Sequence, residues 1–156
     1  MRVAVPGRGT YEIETMVLDM NGTIGVDGEL LKGVEERLAL LRTKVQVVII
    51  TADTHGGAQS LKQRLGLKII VLEEGDEDSQ KLELVRQLGA ERSFAIGNGS
   101  NDALMLKESA IGVCVIGEGE GASTAALLNA DIVVKDVRDA LDLLLKPRRL
   151  VASLRA

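Results

Sequence analysis

The sequence predicts an α/β protein: a doubly wound, Rossmann-like, mainly parallel sheet with helices on both faces and small β-hairpins near the N-terminus. Two observations predict it. Short runs of β-branched and aliphatic residues alternate with stretches whose apolar residues recur at helical spacing, and that alternation builds parallel βαβ units. Three of the runs end on polar groups, at Asp19, Thr51 and Asn98. In open α/β sheets the ligand crevice lies outside the carboxyl ends of the strands, so these three should converge.

In chain order, Val3 to Val5 and Tyr11 to Ile13 flank Pro6-Gly7-Arg8-Gly9 and predict a short hairpin. Thr15 to Leu18 is a buried-strand run that stops on Asp19 and turns at Gly22. The Asp27-Gly28 pair predicts a second small hairpin over 24–31. Lys32 to Lys44 has Val34, Leu38 and Leu41 at helical spacing. Val45 to Thr51 is the strongest strand pattern, and Thr51-Ala52-Asp53-Thr54 is suited to start a helix over His55 to Leu65, which Gly66 ends. Leu67 to Leu72 predicts a strand, Glu73 to Asp78 a solvated acidic loop, and Ser79 to Leu88 a helix closed by Gly89. A strand over Ser93 to Ile96 then leads through Gly97-Asn98-Gly99-Ser100-Asn101-Asp102 into a short helix, Ala103 to Lys107. A strand over Ile111 to Ile116, a glycine-rich turn over Gly117 to Gly121, a helix over Ala122 to Leu128 and a last strand over Asp131 to Val134 follow. A helix over Asp136 to Leu145 is broken by Pro147, and Arg148 to Arg155 predicts a basic terminal helix.

At 156 residues one domain over 1–156 is expected. The single cysteine, Cys114, lies in an apolar run, excludes an internal disulfide and fits a cytoplasmic protein. No leader segment and no membrane span is expected. The net charge of −4 and the near absence of aromatic residues, Tyr11 and Phe94 alone, speak against nucleic acid as a partner. Gly117-Glu118-Gly119-Glu120-Gly121 has a dinucleotide-loop look, but it comes late in the chain and two glutamates would repel a pyrophosphate, so it reads as a turn.

The polar groups that can meet at the strand ends are Asp19, Thr51, Lys81 and the 97–102 loop. A phosphoryl group needs such a set. Asp19 can attack through a carboxylate oxygen; Thr51 and neighbouring N–H groups can hold phosphate oxygens; Lys81 can offset developing charge. Oxygens of Asp19, Asn98 and Asp102 suit a hard cation such as Mg²⁺.

With these residues in that order, the chain resembles the haloacid dehalogenase superfamily of aspartyl-phosphate enzymes. Asp19-Met20-Asn21-Gly22-Thr23 stands for its first motif, Ile50-Thr51-Ala52-Asp53 for its second, Lys81 for its third and Gly97 to Asp102 for its fourth. The last loop is most similar to that of P-type ATPases and of the small soluble proteins related to them. The resemblance, over roughly 15–145, implies a Mg²⁺-dependent phosphatase or phosphotransferase acting on a small phosphorylated compound. It implies catalytic Asp19, Asn21 and Lys81. Thr51, Ala52, Asp53, Lys81 and Gly22 would bind the phosphate, and Asp19, Asn21, Asn98 and Asp102 would be the metal ligands. The gaps from Asp19 to Thr51 and from Thr51 to Lys81 are about 30 residues each, too short for a cap domain. Capless relatives imply a homo-oligomer, dimer or tetramer, with the 25–31 hairpin or the 148–155 tail at the contact. Two departures stand out. Phosphatases carry an acid where this chain has Asn21, which cannot shuttle a proton, and Asn98 replaces a metal-facing carboxylate, so slow turnover and weak, millimolar Mg²⁺ binding are expected. The alternative function is a catalytically weak or inactive relative with a regulatory or phosphate-binding role.

Overall fold

In the computed structural model of the protein, which describes residues 1–53 and 56–156, strands and helices alternate almost throughout. The strands are β1 (Arg2–Val5), β2 (Gly9–Glu12), β3 (Thr15–Asp19), β4 (Gly25–Val26), β5 (Glu29–Leu30), β6 (Gln46–Thr51), β7 (Lys68–Val71), β8 (Ser93–Gly97), β9 (Ile111–Val115) and β10 (Ile132–Val134). The helices are α1 (Val34–Leu41), α2 (Ala58–Leu65), α3 (Glu77–Leu88), α4 (Ala103–Glu108), α5 (Thr124–Asn129), α6 (Val137–Leu145) and α7 (Pro147–Leu154).

Six strands form one sheet in the order β10-β9-β8-β3-β6-β7, every neighbouring pair parallel. β1–β2 and β4–β5 are the two antiparallel hairpins expected near the N-terminus. A parallel sheet needs cover on both faces, so its strands read as unbroken apolar runs rather than alternating ones. All of Thr15–Asp19, Ser93–Gly97 and Ile111–Val115 are buried. The side chains of β3 part to the two faces. Met16 and Leu18 join the larger core with Leu38, Leu41, Leu141, Leu144 and Leu150, while Val17 joins the smaller one with Val85, Met105, Leu106 and Ala126. The free thiol of Cys114 lies in the smaller core.

The chain runs outward from β3 to β6 and β7, then crosses to β8 and continues outward to β9 and β10. The order therefore reverses between β3 and β8, and a crevice opens there at the carboxyl ends of the strands. Asp19 ends β3, Thr51 ends β6, and Asn98 follows β8.

The element boundaries differ from expectation in two informative places. Pro147 is the first residue of α7, where its missing N–H would have no partner in any case. Helix α3 starts at Glu77, two residues early, so Glu77 belongs to a helix and not to a solvated loop. Only the β4–β5 hairpin and α1 stand between Asp19 and β6, and no cap is inserted. Helix α2 begins at Ala58, after Gly56 and Gly57, and not at His55 as expected; Thr54 and His55 themselves lie outside the described residues. Among the described residues no helix is long and apolar enough to cross a membrane.

Candidate active site

The crevice at the reversal point is a cavity of about 520 Å³ lined by Asp19, Asn21, Thr51, Ala52, Lys81 and Asn98, with Glu77, Gly99, Ser100, Asn101 and Glu120. At its floor lies an ion cluster. The Lys81 ammonium, on a side chain only 2% exposed, donates to Asp19 Oδ1 at 2.8 Å, to Asp102 Oδ1 at 2.7 Å and to Asn101 Oδ1 at 3.3 Å. Its three N–H groups are thus all engaged. A lysine of α3 reaches this point because α3 packs against α4 and against the 100–102 turn, which carries Asn101 and Asp102.

Asp19 is buried at the end of the central strand. The Thr23 hydroxyl lies 3.2 Å from Asp19 Oδ2 and 3.1 Å from Asn98 Oδ1, and its single proton serves one of them at a time. Burial pushes Asp19 from 3.8 up to about 7, and the charge of Asp102 adds to this; Lys81 and Thr23 pull it down without cancelling the rise. For Lys81, burial acts to lower the ammonium, but Asp19 and Asp102 together outweigh it and its pKa is raised.

Asp102 does not line the cavity. Its Oδ1 is taken by Lys81, and its Oδ2 accepts from the backbone N–H of Asn98 and of Gly99, each at 2.9 Å. The carboxylate fits against Gly97 so closely that a methyl group there would come within 2.4 Å of it, so the loop's first glycine is a matter of space. Asp102 therefore holds Lys81 and the loop, and presents no free oxygen for a cation.

Thr51 lines the cavity, and its hydroxyl oxygen accepts from the Asp53 N–H at 3.0 Å, while its proton has no acceptor among the described residues. That same bond removes the Asp53 N–H from any phosphate. The Asp53 carboxylate accepts from Ala58 N at 2.8 Å, holding the first turn of α2. The Gly22 N–H is likewise engaged, by Gly25 O at 2.8 Å, and Gly22 is not part of the lining. So of the nine residues marked from sequence, Asp53, Gly22 and Asp102 lie outside the cavity lining, with their N–H groups or carboxylates bonded within the local fold.

Asn21 sits at the cavity wall with its Oδ1 buried and without a hydrogen-bond partner among the described residues. A buried orphan acceptor costs about 1–3 kcal/mol unless something meets it. No three His, Cys, Asp or Glu side chains cluster as a metal site among the described residues. A cation here would rest on the Asp19 carboxylate with amide and carbonyl oxygens, a donor set suited to a hard ion such as Mg²⁺ and to no soft one. The orphan Asn21 oxygen and the Asn98 oxygen fit that requirement.

Five lining residues were given no site role from sequence: Glu77, Gly99, Ser100, Asn101 and Glu120. Asn101 belonged to the fourth motif and now links the cluster to α3, its Nδ2 donating to Glu77 Oε2 at 2.6 Å. Glu120 had a signal, since it follows the carboxyl end of a strand in the same sheet. Glu77 had none until α3 began two residues earlier than its periodicity implied.

No protein-family model matches the chain. The uncharacterized protein MJ0073 of Methanocaldococcus jannaschii is 49% identical over 85 residues, which are 52% of this chain and 90% of that protein. A copper-transporting ATPase of Oryza sativa is 32% identical over 143 residues, 86% of this chain but only 14% of the pump. Among solved structures, the 3-deoxy-D-manno-octulosonate 8-phosphate phosphatase of Moraxella catarrhalis, in complex with magnesium, phosphate and KDO, superposes with a TM-score of 0.66 at 20% identity, covering 92% of this chain and 94% of that one. The chain thus belongs to one family with MJ0073, and it shares the fold of that phosphatase and of a Legionella pneumophila protein assigned to the haloacid dehalogenase superfamily of hydrolases, TM-score 0.67 at 21% identity over 91% of this chain and 87% of that one.

Proposed function

We propose that the protein is a Mg²⁺-dependent phosphatase or phosphotransferase that passes a phosphoryl group through Asp19. The observation that carries this reading is the buried Asp19–Lys81–Asp102 cluster at the floor of the crevice. Asp102 is 0% exposed and bonded by two N–H groups and an ammonium, so it is occupied; Asp19 is the carboxylate that also faces the cavity.

An Asp19 oxygen attacks phosphorus, the bond from phosphorus to the leaving oxygen breaks, and the leaving group departs with the electron pair. Lys81 spreads the charge that builds on the phosphoryl oxygens, and the Thr51 hydroxyl donates to one of them. Asp102 positions Lys81. Water then attacks phosphorus, inorganic phosphate leaves, and the Asp19 carboxylate is restored. Mg²⁺, held by Asp19 and the oxygens of Asn21 and Asn98, would offset phosphoryl charge and keep Asp19 ionised. The fold's likeness to a phosphatase solved with magnesium and phosphate supports the reading.

Asn21 sets the speed. It has no titratable proton, so neither the leaving group nor the attacking water receives the help that is worth about 10²–10⁴ in rate elsewhere. The test is release of 4-nitrophenol from 4-nitrophenyl phosphate in excess Mg²⁺. We expect a burst of one equivalent per site followed by turnover well under about 10 s⁻¹. Asn21→Asp should raise steady turnover by about tenfold or more. No phenol release even in a single turnover, with no phosphoryl adduct on Asp19 by mass spectrometry, would favour the second reading, a phosphate-binding relative without catalysis, which the unpaired Asn21 oxygen and the missing acid motivate. A phosphorylated small molecule is the expected substrate. A cavity lined by Glu77 and Glu120 disfavours polyanions such as nucleotides. We further propose one domain over 1–156, acting in the cytoplasm as a dimer or tetramer.

A further inference from the structure

Asn98 stands where a metal-facing carboxylate is expected, yet the turn after β9 brings a different carboxylate to the same place. Gly117 and Gly121 bond to each other through both backbone pairs, N–H to O at 2.8 Å each way, and pinch the five residues into a tight loop. Asn98 Nδ2 donates to Gly121 O at 3.1 Å and ties that loop to the crevice. An aspartate at 98 would face the Gly121 carbonyl with an oxygen and break the tie, so the amide is required by the loop's position. Held this way, Glu120 lies directly over Gly22. A methyl group on Gly22 would meet Glu120 Oε2 and Asn98 Nδ2, which places the glutamate carboxylate against this turn, and the φ of +77 at Gly22 favours glycine.

Glu120 lines the same cavity as Asp19, Asn21 and Asn98, and it makes no ion pair or side-chain hydrogen bond among the described residues. Two facts then need an explanation. An unpaired carboxylate lining the cavity would repel a phosphoryl group, and the buried Asn21 oxygen of the same lining lacks a partner among the described residues. One divalent cation resolves both, since it takes oxygen donors and places positive charge between carboxylate and phosphate.

We propose that Glu120 is the carboxylate ligand, direct or through a bound water, that completes the divalent-cation site in place of the charge absent at Asn98. The proposal rests on the phosphoryl-transfer reading for the presence of a cation, and adds that the negative charge has moved from the loop after β8 to the loop after β9, with the Asn98 amide as the link. On this proposal the cation binds more tightly than Asn98 alone implies.

The test is calorimetric titration of Mg²⁺, repeated with Mn²⁺ followed by electron paramagnetic resonance, into the full chain with no substrate present. Glu120→Gln should weaken both ions by about tenfold or more. Glu118→Gln, in the same turn but outside the crevice lining, should leave them within about twofold, which separates ligation from general surface charge. Because Glu120 is exposed, the Glu120→Gln chain should unfold at the natural temperature, and circular dichroism checks this. Binding that is lost in Asp19→Asn but unchanged in Glu120→Gln overturns the assignment of Glu120 and leaves the phosphoryl-transfer reading standing. Equal losses in Glu120→Gln and Glu118→Gln overturn it as well, in favour of diffuse attraction. Absence of binding to the natural chain at tens of millimolar overturns it together with the cation in that reading.

Discussion

Asp19→Asn should abolish phosphoryl transfer while the protein stays folded. The amide keeps the shape of the carboxylate and can still meet Lys81 and Thr23, but it has no anionic oxygen to attack phosphorus. A second consequence concerns stability. Folding raises Asp19 from 3.8 to about 7, so the native state holds the proton more tightly than the unfolded chain. The stability this contributes is complete at pH values below the unfolded pKa, and it is lost as pH rises through about 7. An asparagine has no such titration. In chelator, the melting temperature of Asp19→Asn should therefore fall less between about pH 4 and pH 7 than that of the natural protein. Thermal unfolding across that range, and single-turnover kinetics with an aryl phosphate, check the two halves. Retained turnover in the purified variant would remove Asp19 as the nucleophile. An unchanged pH profile would mean that Asp19 is ionised throughout.

Lys81→Met should destabilise the protein by about 3–5 kcal/mol near pH 8, the usual cost of stripping one partner from a buried ionic cluster. Methionine fills nearly the same space, so the loss is electrostatic. Asp19 and Asp102 would be left facing each other without the ammonium that now lies 2.8 Å and 2.7 Å from them, and the Asn101 oxygen would lose its donor. The sign with pH follows. Protonating one of the two carboxylates relieves the repulsion, so the deficit should shrink at pH 5 and grow as pH rises. Denaturant unfolding at the two pH values measures this, and a loss that is small and independent of pH would show that Lys81 contributes packing alone. Phosphoryl transfer should fall with it, because the charge on the transferring group would lose its counter-charge.

The frame of the molecule was legible in the chain. Thr15–Asp19 and Gln46–Thr51 are apolar runs that end on polar residues, and strands buried on both faces look like that because both faces must be covered. Alternation of such runs with helical periodicity sets the parallel order, and the parallel order puts Asp19, Thr51 and Asn98 at one end of the sheet. The positions of Lys81 and the 97–102 loop in the chain then sufficed to gather the cluster.

What the chain order could not reveal is which donors and acceptors remain free once it has folded. Asp53, Gly22 and Asp102 carry groups suited to phosphate or metal, but their hydrogen bonds go to Thr51, Gly25, Lys81, Asn98 and Gly99. Local backbone demands are met first because a buried unsatisfied group is costly. Glu77 and Glu120 show the converse. In the sequence both belong to acidic or glycine-rich stretches that read as solvated turns. Only the start of α3 and the pinched 117–121 loop, with its tie from Asn98 Nδ2 to Gly121 O, aim them into the crevice. The sequence by itself determined the parallel sheet and the meeting of Asp19, Thr51, Lys81 and the 97–102 loop at its carboxyl end, since these follow from hydrophobic pattern, motif and chain order. The tertiary structure decided which oxygens face the cavity, since that depends on contacts between loops far apart in the chain, and periodicity carries no record of such contacts.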